Sequence, residues 1–132
     1  MTMKLGYTIV YVPDVAASLR FFAQAFGLRQ KFLHESGMYG ELDTGDTTLS
    51  FASHELAAMN LPAGHVRASD TAQPLGMEIG LVTDQVEAAH RRALECGAQE
   101  LAAPAQKPWG QVVSYLRSPD GALIELCSPH AA

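Results

Sequence analysis

Between Pro13 and Gly27 the apolar residues Val15, Leu19, Phe22 and Phe26 recur at intervals of 4, 3 and 4, which places them on one face of an α-helix. Asp14 can accept a hydrogen bond from a free N–H of the first turn, and Gly27 can take the left-handed conformation that closes the other end. Around this helix the period changes to two. Residues Leu5 to Val12 alternate and are rich in β-formers, and Arg29 to Glu35, Met38 to Asp43 and Thr47 to Ser53 are strand-like runs broken at Ser36-Gly37 and Thr44-Gly45-Asp46. The predicted order is βαβββ.

The second half repeats it. Met77 to Val82 reads as a strand, and Asp84-Gln85 introduces a helix with Val86, Ala89, Ala93 and Cys96 inward and Gly97 at its end. A short strand from Gln99 to Ala102, a longer one from Gln111 to Arg117, the turn Ser118-Pro119-Asp120-Gly121 and a last strand from Ala122 to Cys127 follow. Aligning Val15 with Val86 pairs Tyr7 with Glu78, and the terminal strands align Ser50 with Glu125. The expected organisation is one domain over residues 1–132, with module one at 5–53, a polar connector at 54–74 and module two at 75–129. A connector of 21 residues is long for such a domain and is expected to be functional or mobile, as a lid would be.

Composition narrows the classes. At 132 residues, 48% hydrophobic and 17% charged, the chain can bury a real core without disulfides. A formal charge of −5 with nine Lys and Arg thinly spread gives no basic stripe, so nucleic acid is not an expected partner. No run approaches the length of a membrane span, and the start Met1-Thr2-Met3-Lys4 carries no signal-peptide core, so a soluble, cytoplasmic protein is expected. Cys96 and Cys127 have no metal-ligand spacing and read as reduced packing residues. Phosphate loops, nucleophile elbows and HExxH motifs are absent.

The run from Tyr7 to Phe22, with Phe26-Gly27-Leu28, Pro108-Trp109-Gly110-Gln111 and the stretch from Ser118 to Leu126, resembles the glyoxalase, bleomycin-resistance and extradiol-dioxygenase superfamily, also called vicinal oxygen chelate. The resemblance implies an α+β fold in which two βαβββ modules curl a mixed sheet into a cup, helices outside, around a small molecule. It also implies a homodimer. In metal-dependent relatives four positions on the opening and closing strands carry His, Gln or Glu; here they read Tyr7, Ser50, Glu78 and Glu125. Two of the four are poor ligands, and none is the imidazole or thiolate that a borderline-soft ion prefers. No tightly held transition metal and no other cofactor is expected.

Alternation decides which residues face the cup. Thr8, Val10 and Val12 go beneath the first helix, which leaves Tyr7, Ile9 and Tyr11 inward; Ile79 and Leu81 go beneath the second, which leaves Glu78, Gly80 and Val82 inward. Ile124 and Leu126 likewise leave Leu123, Glu125 and Cys127 on the cup side. Glu78 and Glu125 then share a concave face. Two close carboxyls without a cation cannot both ionise cheaply, so one pKa is expected to rise, which suits a general base or a cationic ligand. Two bland readings stand beside this: one glutamate at the rim, or a residual contact with Tyr7 or Ser50.

The expected ligand contacts are Tyr7, Ile9, Tyr11, Ser50, Glu78, Trp109, Tyr115 and Glu125, and the tyrosines and Trp109 are equally open to ordinary packing. His54 and His65 fall in the connector and read as solvated loop residues, with descent onto the cup as a lid contact or proton carrier the alternative; His130 lies in the tail, His90 on the second helix and His34 near a turn. Two functions follow. One is a binding protein that sequesters a cationic or aromatic compound; the other is a glyoxalase-like lyase or isomerase with Glu125 and Glu78 as catalytic base or metal ligands.

Overall fold

The computed structural model of the chain describes residues 2–130; Met1 and the last two alanines, which the sequence-based domain bounds include, lie outside them. The fold is built as two compact units with their boundary between Arg67 and Ala68.

In the first unit, strand β1 (Tyr7–Val12) leads into helix α1 (Val15–Phe26), followed by β2 (Arg29–Leu33), β3 (Tyr39–Asp43) and β4 (Thr48–Ser53). The sheet order is β1-β4-β3-β2, with β1 and β4 parallel and the other pairs antiparallel. The helix starts and stops where its sequence signals stand: Asp14 Oδ1 accepts from Ala17 N at 3.1 Å, and Gly27 adopts φ 68°. Val15, Leu19 and Phe22 are buried as their spacing requires, joined by Phe21, while Phe26 is half-buried. Phe22 meets Phe51 of β4 at 5.1 Å between ring centres, so the core is an aromatic wedge between helix and sheet.

The second unit repeats the order with β5 (Glu78–Val82), α3 (Val86–Glu95), β6 (Gln99–Gln106), β7 (Val112–Arg117) and β8 (Leu123–Cys127), in sheet order β5-β8-β7-β6. Its core is more polar. Helix α3 turns Val86, His90 and Ala93 inward, whereas Ala89 and Cys96, expected inside, are half-buried. His90 Nδ1 lies 2.9 Å from the buried Ser114 Oγ and Nε2 lies 2.7 Å from Glu100, and these bonds let an imidazole occupy a core position.

Two further expectations are corrected. Strand β6 extends to Gln106, well beyond Ala102, running through Pro104 with two register shifts; β6 is an edge strand, where a proline's missing N–H breaks no ladder. The connector is not irregular throughout: helix α2 (His54–Asn60) follows β4 at once, capped by Ser53 Oγ accepting from Leu56 N at 3.0 Å, and a 3-10 turn spans Ala68–Asp70. The end of the connector belongs to the second unit. The Arg117 guanidinium donates to the carbonyls of Ala68, Thr71 and Ala72, and Gly121 (φ 95°) leaves room for that approach, since a Cβ there would collide with the Ala68 carbonyl.

Candidate functional site

In each unit a helix covers one face of the sheet and leaves the other open. On β5 the residues alternate between exposed Glu78, Gly80 and Val82 and less exposed Ile79 and Leu81, as strand parity predicts. On β8, Ile124 and Leu126 are buried, while Leu123 and Glu125 are half-buried on the open side with Cys127 beside them. Parallel pairing sets Gly80 against Glu125 and Glu78 against Leu123, which makes the two glutamates diagonal neighbours on one face. Tyr115 of β7 stands directly opposite Glu125 and donates its phenol proton to Oε1 at 2.9 Å.

These contacts shape the acid–base properties of the group. Desolvation, then the hydrogen bond and charge of Glu125, raise the Glu78 pKa, so Glu78 holds its proton longer than an ordinary carboxyl. The bond to Glu125 and desolvation raise the Tyr115 phenol, and burial with the same carboxyl raises the Cys127 thiol, which keeps it protonated and inert. The open face of the second unit thus carries a pair of neighbouring carboxyls, one with a raised pKa, backed by a tyrosine.

The first unit's open face carries Tyr7, 57% exposed, and Ile9, with the half-buried Tyr11 at its end. Ser50, opposite Ile9 on one side and Glu41 on the other, is fully enclosed. Glu41 and Tyr39 escaped the sequence reading. Tyr39 donates to Glu41 Oε2 at 2.8 Å, and Lys31 Nζ stands 3.7 Å from Oε1. Strand alternation over Tyr39–Asp43 contained that signal, but a lone strand glutamate reads as solvated, and the Lys31 approach depends on a bulge in β2 between Gln30 and Phe32.

The histidines also differ from expectation. His54 is buried at 6% exposure, its Nδ1 3.0 Å from Nε2 of His65, and His65 packs on Tyr11 at 5.3 Å. Because helix α2 starts directly after β4, the His54 side chain is carried into the fold instead of into a solvated loop. His130 and His34 are exposed. Trp109 is 59% exposed near the turn after β6 and donates Nε1–H to Gln111 Oε1 at 2.8 Å.

A transition-metal centre of the kind implied by the resemblance does not fit these donors. Tyr7 and Ser50 supply a phenol and an aliphatic hydroxyl, and only Glu78 and Glu125 supply carboxylate oxygens, with no imidazole or thiolate among the four. Among the described residues no group of three or more His, Cys, Asp or Glu is placed to hold an ion. No helix among them is long and apolar enough to cross a membrane.

Comparison with known proteins places this architecture. The family model described as Glyoxalase/Bleomycin resistance protein/Dioxygenase superfamily matches residues 4–126, and the chain belongs to that superfamily. A glyoxalase-related enzyme from Fulvimarina pelagi superposes with a TM-score of 0.81 at 19% identity, covering 97% of this chain and 89% of its own. A glyoxalase/bleomycin resistance protein/dioxygenase family enzyme from Burkholderia phytofirmans PsJN gives 0.78 at 21% identity, covering 96% and 98%. TioX from Micromonospora sp. ML1 gives 0.69 at 18% identity, covering 98% and 100%. At such identities the likeness is one of fold, the glyoxalase-like α+β fold. No curated protein matches the chain significantly.

Proposed function

We propose that this protein binds a small cationic or aromatic compound on the open face of its second unit, without a tightly bound transition metal. The observation that carries this reading is the Tyr115, Glu125 and Glu78 group, in which two carboxyls share a face and make no ion pair among the described residues. An ammonium group balances the charge of the ionised pair, and the Tyr115 ring offers a flat apolar wall. Tyr7, Ile9, Tyr11 and Ser50 are proposed ligand contacts on the first unit's own open face, and Trp109 is a proposed contact on the second unit. A cytoplasmic homodimer belongs to the same proposal, a second copy covering apolar side chains such as the exposed Val82.

A thermal-shift screen of aromatic amines at pH 8 is expected to find stabilisers that leave unaltered, with the effect lost in Glu125→Gln. Turnover of those compounds would reject the pure binding role.

One observation favours a second reading. A glutamate that holds its proton beside one that accepts from a phenol is a fit acid–base pair for a lyase or isomerase, with Glu125 and Glu78 catalytic. Turnover of an α-hydroxy carbonyl substrate that vanishes in Glu125→Gln would select it; activity abolished by EDTA instead would restore a metal.

A further inference from the structure

On the first unit's open face, a buried hydroxyl and a buried carboxylate stand directly opposite each other. Ser50 is at 0% exposure and its Oγ has no partner of ordinary hydrogen-bond length and angle among the described residues; it still interacts with the Tyr39 phenol, whose pKa is raised mainly by burial and lowered in part by Ser50. An enclosed hydroxyl with no well-formed hydrogen bond is costly and uncommon, which makes it a candidate donor to a guest group. Glu41, its register partner across β3 and β4, is 7% exposed. One of its oxygens, Oε2, is taken by Tyr39, while Oε1 faces Lys31 at 3.7 Å, too long for a hydrogen bond, and keeps a lone pair free.

Charge then selects the guest. Lys31 offsets Glu41, so this group, unlike the acid pair of the second unit, has no net charge to attract a free cation. A carboxylate guest would be repelled by Glu41. What complements a hydroxyl donor beside a carboxylate acceptor is a planar neutral group with an acceptor and a donor side by side. Opposed strand positions are about 5 Å apart at Cβ, which a two-atom C=O and NH₂ edge spans better than a single hydroxyl. Tyr7, exposed on the same face, can swing to admit it and lay its ring along an aromatic substituent.

We propose that Ser50 and Glu41 form a separate binding site for a carboxamide, the Ser50 hydroxyl donating to the amide oxygen and Glu41 Oε1 accepting from the amide NH₂. It rests on the reading that this open face meets a ligand, and does not depend on the Glu78 and Glu125 pair.

Benzamide, benzoate and benzylamine titrated into the full chain, followed by amide NMR shifts, test it. Benzamide is expected to perturb Ser50 and Glu41, benzoate to leave both unmoved, and Ser50→Ala to weaken benzamide about tenfold while melting at or above the parent temperature. Lys31→Met removes the counter-charge and is expected to shift preference from benzamide toward benzamidine. The site is overturned by equal benzamide affinity in Ser50→Ala, by a melting temperature several degrees lower in that variant, or by a crystal structure in which water bridges the two groups and benzamide does not displace it. Benzylamine with Glu125→Gln reports separately on the second unit, so failure of either site is distinguishable.

Discussion

The two units share a strand order but answer the same electrostatic problem differently. Each places one tyrosine-to-glutamate hydrogen bond on its open face, Tyr39 to Glu41 in the first and Tyr115 to Glu125 in the second. The carboxyl changes strand: Tyr39 and Glu41 both lie on β3, with Glu41 opposite Ser50, whereas in the second unit Tyr115 lies on β7 and Glu125 opposite it on β8. The first unit compensates its carboxyl with Lys31; the second adds another carboxyl, Glu78, whose pKa is raised by desolvation and by Glu125. One scaffold thus yields a charge-balanced face and an acidic one. Beneath the sheets the contrast reverses in kind: aromatic packing in the first unit, a hydrogen-bonded imidazole in the second.

The largest effect should come from the first core. Phe22→Ala empties the space between Phe21, Phe26 and Phe51 and is expected to cost about 3–5 kcal/mol in urea unfolding. The polar core should be less sensitive. His90→Ala leaves Ser114 Oγ buried without its imidazole, for about 1–3 kcal/mol by the same measurement, and a larger loss than Phe22→Ala would invert the comparison.

A smaller loss, about 1–2 kcal/mol, is expected for Gly121→Ala, where both φ 95° and the Ala68 backbone oppose a side chain; increased protease cleavage within residues 68–72 would show the released segment. On the open face, Glu125→Gln should move Tyr115 ionisation back toward the ordinary phenol range in an ultraviolet titration, since the bond to Glu125 is the main cause of its rise.

The smallest effect concerns stability against pH. The folded pKa of Glu78 is raised above its unfolded value, so the folded state binds more protons in that window; the contribution is present in acid and lost as pH rises through the folded pKa. Glu78→Gln should therefore raise Tm at pH 8 relative to the parent, by no more than about 2 °C because Glu78 is exposed, and leave it unchanged at pH 3.

Much of this was legible where local periodicity governs. The spacing of Val15, Leu19 and Phe22, the Asp14 cap and the alternation that aims Glu78 and Glu125 to one face all follow from neighbours in sequence. What escaped depends on residues brought together from afar or on irregular backbone. His90 meets Ser114 across 24 residues, Lys31 reaches Glu41 from a bulge, and Arg117 gathers carbonyls from 68 to 72. The His54 and His65 contact required knowing that α2 begins where β4 ends, and no glutamate at the third turn position announced that cap.

The central claim is that the Glu78 pKa is raised by partial desolvation and by the neighbouring Glu125. Carboxyl carbon NMR of Glu78 across pH, in the parent chain and in Glu125→Gln, measures it directly. The account predicts a Glu78 midpoint above the ordinary carboxyl range in the parent that falls part of the way back in the variant, with desolvation holding the remainder; an ordinary midpoint in both proteins would contradict it.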